Sequence, residues 1–81
     1  MRLDKFLKVS RIIKRRTVAN EVCDQGHVKV NGRIAKAGLE VQSGDKVEIS
    51  LGERTIKLEI LESRENVAAR DASNLYQLVG E

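Results

Sequence analysis

The chain reads as an α+β domain, helices first and strands after. Apolar residues recur at helical spacing over residues 2–9 and 17–25. Directly after Gly26 the period drops from 3.6 to 2. Two hairpin turns, Asn31-Gly32 and Gly52-Glu53, then punctuate the strands.

In the first segment Leu3, Phe6 and Leu7 share a face at i, i+3, i+4, while Arg2, Lys5 and Lys8 point elsewhere. Asp4 falls in the first turn, where the helix dipole favours an acid, and is spaced to pair with Lys8. Residues 10–16 form a connector, with Ile12 and Ile13 expected to anchor it in the core. The second helix is expected from about Thr17, a residue that can cap it, to Gln25. Val18, Ala19, Val22 and Cys23 are its expected buried face. Gly26 follows where a left-handed residue ends a helix.

Val28 and Val30 then alternate with His27 and Lys29. Asn31-Gly32 suits a type I′ turn, since both central residues need positive φ. That turn sets Val30 opposite Arg33, Lys29 opposite Ile34 and Val28 opposite Ala35. Ile34 then shares a face with Lys29, which the alternation does not explain; packing under the following loop is one way to cover it. Gly38 and Gly44-Asp45 mark further turns. In residues 46–51, Val47, Ile49 and Leu51 should face inward. A Gly52-Glu53 turn of type II′ pairs Ile49 with Ile56, Val47 with Leu58, Glu48 with Lys57 and Lys46 with Glu59. The charges in these pairs read as cross-strand stabilisers. Residues 63–74 are polar and Ala-rich, fit for a loop or a helical turn, with the acids Glu62, Glu65 and Asp71 spread through a solvated tail. Residues 75–79 could return as a last strand with Tyr76 at its edge.

The 81 residues fit a single domain, 1–81, with a core motif at 1–50 and a hairpin and tail at 51–81. A chain this size buries about 60% of its unfolded surface, so the core is small. No apolar run of about 18 residues could span a membrane, and MRLDKFLKVSR lacks the apolar region of a secretory signal. Cys23 is the lone cysteine, which leaves a reducing, cytoplasmic setting as the expectation. His27 is the lone histidine and lacks the convergent ligands a metal needs. No phosphate loop, dinucleotide fingerprint or paired-carboxylate cleft is recognisable, so neither an enzyme nor a cofactor is expected. Phe6 and Tyr76 are the only aromatics, which argues against base stacking as the mode of recognition.

Charge is the functional signal. Residues 1–36 carry ten Lys or Arg against three acids, net +7; residues 37–81 carry five against nine, net −4. That asymmetry points to one polyanion-facing end. Arg2 and Lys5 neighbour each other on the first helix. Lys14, Arg15 and Arg16 lead into the second, whose N-terminus adds free N–H groups. Lys29 and Lys36 project from the hairpin and Arg33 sits at its turn. The bland alternative is a solvated basic face on an ordinary domain.

Four blocks carry a family resemblance: Arg2-Leu3-Asp4-Lys5, Arg16 with Ala19, Gly26-His27-Val28-Lys29-Val30-Asn31-Gly32, and Val41-Gln42-Ser43-Gly44-Asp45. In order and spacing they resemble the RNA-binding domain named after ribosomal small-subunit protein four, over residues 1–50. Over nearly its full length the chain is similar to stand-alone members related to the fifteen-kilodalton heat-shock protein, most of all the bacterial RqcP group. The resemblance implies two short helices packed on a small, highly twisted, mainly antiparallel sheet, the alpha-L RNA-binding motif. It implies binding to rRNA of the large ribosomal subunit and to peptidyl-tRNA after a stall. It also implies work with an RqcH-type factor that adds C-terminal alanines. RNA contact transfers onto Arg2, Lys5, Arg16 and the stretch Lys29 to Arg33. The full candidate set for RNA contact is Arg2, Lys5, Arg11, Lys14, Arg15, Arg16, Thr17, Lys29, Asn31, Arg33 and Lys36. The family often has Arg or Lys where His27 stands.

The expected function is thus that of a monomeric, non-catalytic RNA-binding adaptor of ribosome rescue. The rivals are a general RNA chaperone or ribosome-assembly factor, a protein–protein module working through the acidic half, and the targeting domain of an RNA-modifying enzyme.

Overall fold

The computed structural model describes residues 1–64 and 67–79; Glu65, one of the acids assigned to the tail, lies outside them. The elements run α1 (Leu3–Val9), α2 (Arg16–Asp24), β1 (Val28–Val30), β2 (Arg33–Ile34), β3 (Lys46–Leu51) and β4 (Arg54–Ile60). A 3₁₀ turn (Ala69–Leu75) and β5 (Tyr76–Leu78) follow. The five strands form one sheet in the order β2-β1-β3-β4-β5, every pair antiparallel. Both helices pack on one face of it. Leu3, Phe6 and Leu7 of α1 and Ala19 and Cys23 of α2 meet Val28, Val30, Val47, Ile49, Leu58 and Ile60 in one core.

Each helix stops on a residue in the left-handed region, Gly26 after α2 and Arg11 after α1. After α2, Gly26 takes φ +84; its N–H donates to Cys23 O, and the His27 N–H donates to Val22 O. This is the Schellman arrangement, which satisfies carbonyls the helix leaves open. After α1 the left-handed residue is Arg11, at φ +62, whose N–H donates to Lys8 O. The start of α2 departs from expectation. Arg15 holds the cap position with no side-chain cap, and Thr17 lies exposed inside the first turn. Val18 is also exposed, because Ala19 and Cys23, four residues apart, take the sheet-facing stripe and Val22 lies at its margin.

The hairpins follow their turn chemistry. Asn31 and Gly32 both take positive φ, and Val30 pairs with Arg33 and Lys29 with Ile34. The four expected pairs between β3 and β4 form, with Gly52 at φ +62 between them. In these two hairpins Leu51 and Ile34 miss the core. Leu51 stands beside the turn, past the helices' reach, and Ile34 is 62% exposed on an edge strand rather than packed under a loop.

The pairing of β1 with β3 joins the two halves of the chain, matching Val28 with Ile49, Lys29 with Glu48 and Val30 with Val47. Asn31 locks that junction. Its Nδ2 donates to Asp45 Oδ1 (3.1 Å), its Oδ1 accepts the Lys46 N–H (3.0 Å), and its own N–H donates to Lys46 O (2.7 Å). Asp45 Oδ2 accepts the Gln42 N–H in turn (3.0 Å).

Candidate nucleic-acid interface

One buried carboxylate organises the N-terminal ends of both helices. Asp4 is 2% exposed. Its Oδ1 accepts from Arg2 Nε (3.2 Å) and the Lys5 N–H (2.8 Å). Its Oδ2 accepts from Arg2 Nη2 (3.3 Å), Arg16 Nε (3.4 Å) and Asn20 Nδ2 (3.3 Å). Burial works to raise the Asp4 pKa, but hydrogen bonds from Asn20 and Arg2 and the charge of Arg16 outweigh it and hold the carboxyl below its ordinary value. Asp4 therefore stays ionised and fixes two guanidiniums that are each about half exposed.

The expected i, i+4 pair of Asp4 with Lys8 gives way to this cluster. Asp4 lies on the side of α1 facing α2, where Arg16 and Asn20 reach its carboxylate. Arg2, Arg16, Thr17, Asn20 and Glu21 rim an open depression of about 480 Å³ with Asp4 at its base. Among the described residues Arg16 joins the cluster through its Nε, so its Nη atoms remain to contact an anion. Asp4 and Asn20 are the site residues that sequence reasoning missed. The available signal was an acid held between Arg2 and Lys5 in an otherwise basic segment.

The other expected contacts are scattered. Lys5 is partly buried on α1; Arg11, Lys14 and Arg15 are exposed along the connector. Lys29 stands on the sheet face away from the helices, opposite Glu48, whereas Arg33 pairs with Val30 on the helix side. The two therefore do not form one surface, because neighbouring positions in a strand point to opposite faces. Lys36 Nζ donates to Asp24 O at the C-terminal end of α2 (3.2 Å), where the helix dipole favours a cation. The side chain of Asn31 is spent on Asp45 and Lys46, so Asn31 holds the hairpin.

Cys23 is buried, and desolvation, with the nearby charges of Asp4 and Asp24, pushes its thiol up to about 11. It is protonated at neutral pH and packs as a small hydrophobe. Among the described residues no cluster of three or more His, Cys, Asp or Glu could hold a metal, and no helix is long and apolar enough to cross a membrane.

Residues 1–47 match the S4 domain model, a span that holds both helices, the first hairpin and the Asn31–Asp45 lock. The chain is 54% identical over 78 residues to the RQC P-site tRNA stabilizing factor of Halalkalibacterium halodurans, covering 96% of this chain and 89% of that protein. It is 48% identical over 81 residues to the factor of the same name from Streptococcus pneumoniae, covering 100% of this chain and 92% of that protein. In three dimensions it is similar to heat shock protein 15 of Vibrio cholerae, with a TM-score of 0.89 and 29% identity over 98% of this chain and 81% of that one. The chain belongs to the S4-domain family, among the RQC P-site tRNA stabilizing factors.

Proposed function

We propose that this protein is an RNA-binding adaptor of bacterial ribosome-associated quality control. It binds rRNA and peptidyl-tRNA on stalled large subunits and supports the addition of C-terminal alanines to the nascent chain by an RqcH-type partner. The 54% identity to an RQC P-site tRNA stabilizing factor over nearly the whole of both chains carries this reading. The geometry agrees with it. Arg2 and Arg16 are held by Asp4 before any ligand arrives, so little side-chain entropy is lost on binding a phosphate. The site offers donors and charge rather than a stacking platform, since Phe6 is buried and Tyr76 packs against the core. Such a surface reads backbone and shape, and gains specificity from a composite target such as tRNA seated on a subunit.

Affinity purification of the tagged protein tests the proposal. Large subunits, tRNA and alanine-tailed chains should co-purify, and a strain lacking the protein should tail a non-stop reporter poorly. Recovery of mostly free mRNA, or of small subunits without tRNA, would refute it.

A further inference from the structure

A second cationic hollow lies at the far end of α1. Lys8, Arg11 and Lys14 surround a concave space of about 240 Å³ walled by Val9 and Val67. Among the described residues, none of the three side chains has an acidic partner. Three like charges converging without a counter-charge repel one another, so the arrangement costs stability until an anion enters.

The backbone of Arg11 is a second, independent sign. Arg11 sits at φ +62, where a side chain is disfavoured and glycine is at ease. The same chain places Gly26 in the corresponding position after α2. Arginine thus occupies a strained position with its side chain exposed to solvent. Strain held in this way points to a use for the side chain outside the fold.

The lining also defines the ligand. Lysine and arginine are donors without acceptors and carry positive charge, so they recognise negatively charged oxygens. The two valines offer an apolar wall fit for a sugar, and no aromatic ring is present to stack a base.

We infer that Lys8, Arg11 and Lys14 form a phosphate subsite for an RNA backbone, separate from the Arg2–Asp4–Arg16 cluster. The inference rests on the RNA-binding reading above. The two sites lie at opposite ends of the seven-residue helix α1, which is roughly 10 Å long at 1.5 Å per residue, so the domain grips phosphates at both of its ends. Lys8 and Val67 thereby join the interface.

Two measurements on the whole chain test this. In the first, inorganic pyrophosphate is titrated onto the wild type by NMR. The amides of Arg11, Lys14 and Val67 should shift, and those of Thr17 and Asn20 should shift less. In the second, the variant Lys8→Gln/Arg11→Gly/Lys14→Gln is compared with Arg16→Gln for binding to a structured RNA across a salt series. The triple variant should melt no lower than the wild type, since glycine relieves the strain at residue 11. Its slope of log K against log salt should be less negative by about 1 to 2, at about 0.9 per phosphate contact. Arg16→Gln should lose its own contact independently. An unchanged slope in the folded triple variant would overturn the subsite, even if Arg16→Gln weakens binding as the adaptor reading requires. Pyrophosphate shifts confined to Thr17 and Asn20 would overturn it as well. Shifts at Arg11 in a wild type that binds no RNA would refute the adaptor reading and assign the hollow to free phosphate compounds, which overturns its RNA role.

Discussion

Replacing Asp4 by Asn would keep the shape of the cluster and remove its charge. The wild-type carboxylate accepts five hydrogen bonds, from Arg2 Nε and Nη2, Arg16 Nε, Asn20 Nδ2 and the Lys5 N–H. An amide has one acceptor oxygen, and either orientation turns an NH₂ group toward donors. A hydrogen bond to a charged group is worth about 1.5–3 kcal/mol net. The guanidinium contacts are 3.2–3.4 Å long and the arginines are half exposed, so they can rehydrate. Solvent screening brings the expected loss to about 2 kcal/mol. For a domain of this size that lowers Tm by about 8–16 °C.

The effect on RNA binding sets two forces against each other. Removing a negative charge beside two arginines favours an anion by about 1 kcal/mol at aqueous screening. Releasing two ordered side chains costs about 0.5–1.5 kcal/mol each on binding. Loss of order wins by roughly 1 kcal/mol, about a fivefold weaker Kd, with an unchanged salt slope because the cations are the same. Circular-dichroism melts and a filter-binding salt series measure both. An Asp4→Asn protein that melts with the wild type and binds RNA as well or better would refute the idea that Asp4 positions the arginines.

Three further outcomes are expected. Because the folded-state pKa of Asp4 lies below its ordinary 3.8, its stabilisation is present above that value and lost as pH falls through the folded value; the Tm gap between wild type and Asp4→Asn should close on acidification below about pH 4. Arg16→Glu should weaken RNA or subunit binding by about 2 kcal/mol or more, by removing a charge-assisted contact and adding repulsion, and unchanged co-sedimentation of the folded variant would contradict this. Gly32→Val meets no atom within 4 Å but places a β-branched residue at φ +85, so Tm should drop by at least about 4 °C through backbone strain alone, and an unchanged melt would disprove that account.

What was legible in the sequence was what neighbouring residues decide. Asn31-Gly32 and Gly52-Glu53 set their hairpin registers because two-residue turns leave little freedom. Gly26 marked a helix end because few other residues accept its φ. What stayed hidden depends on contacts through space. The choice of Arg16 over Lys8 as the partner of Asp4 requires knowing that α2 packs beside α1. The pairing of β1 with β3 and the service of Asn31 to Asp45 join residues 14 or more apart. That Lys29 and Arg33 fall on opposite faces follows from the register itself, which pairs Val30 with Arg33 and Lys29 with Ile34. Val18 and Leu51 were misplaced because a nine-residue helix and a strand's last residue have less core to reach than their periodicity suggests.

The lock between Asn31 and Asp45 makes the cationic half inseparable from the acidic one. The S4 match ends at residue 47, two residues into β3. A fragment cut there would retain only the first partner positions for β1 and leave Val28 without Ile49. The basic helices would then rest on a torn edge, open to pairing with other chains. Anyone grafting this RNA-facing surface onto another protein must carry the β3–β4 hairpin with it. That hairpin carries three acids, Glu48, Glu53 and Glu59, against three basic residues, Lys46, Arg54 and Lys57, so it would bring the graft its missing strands at no change in net charge.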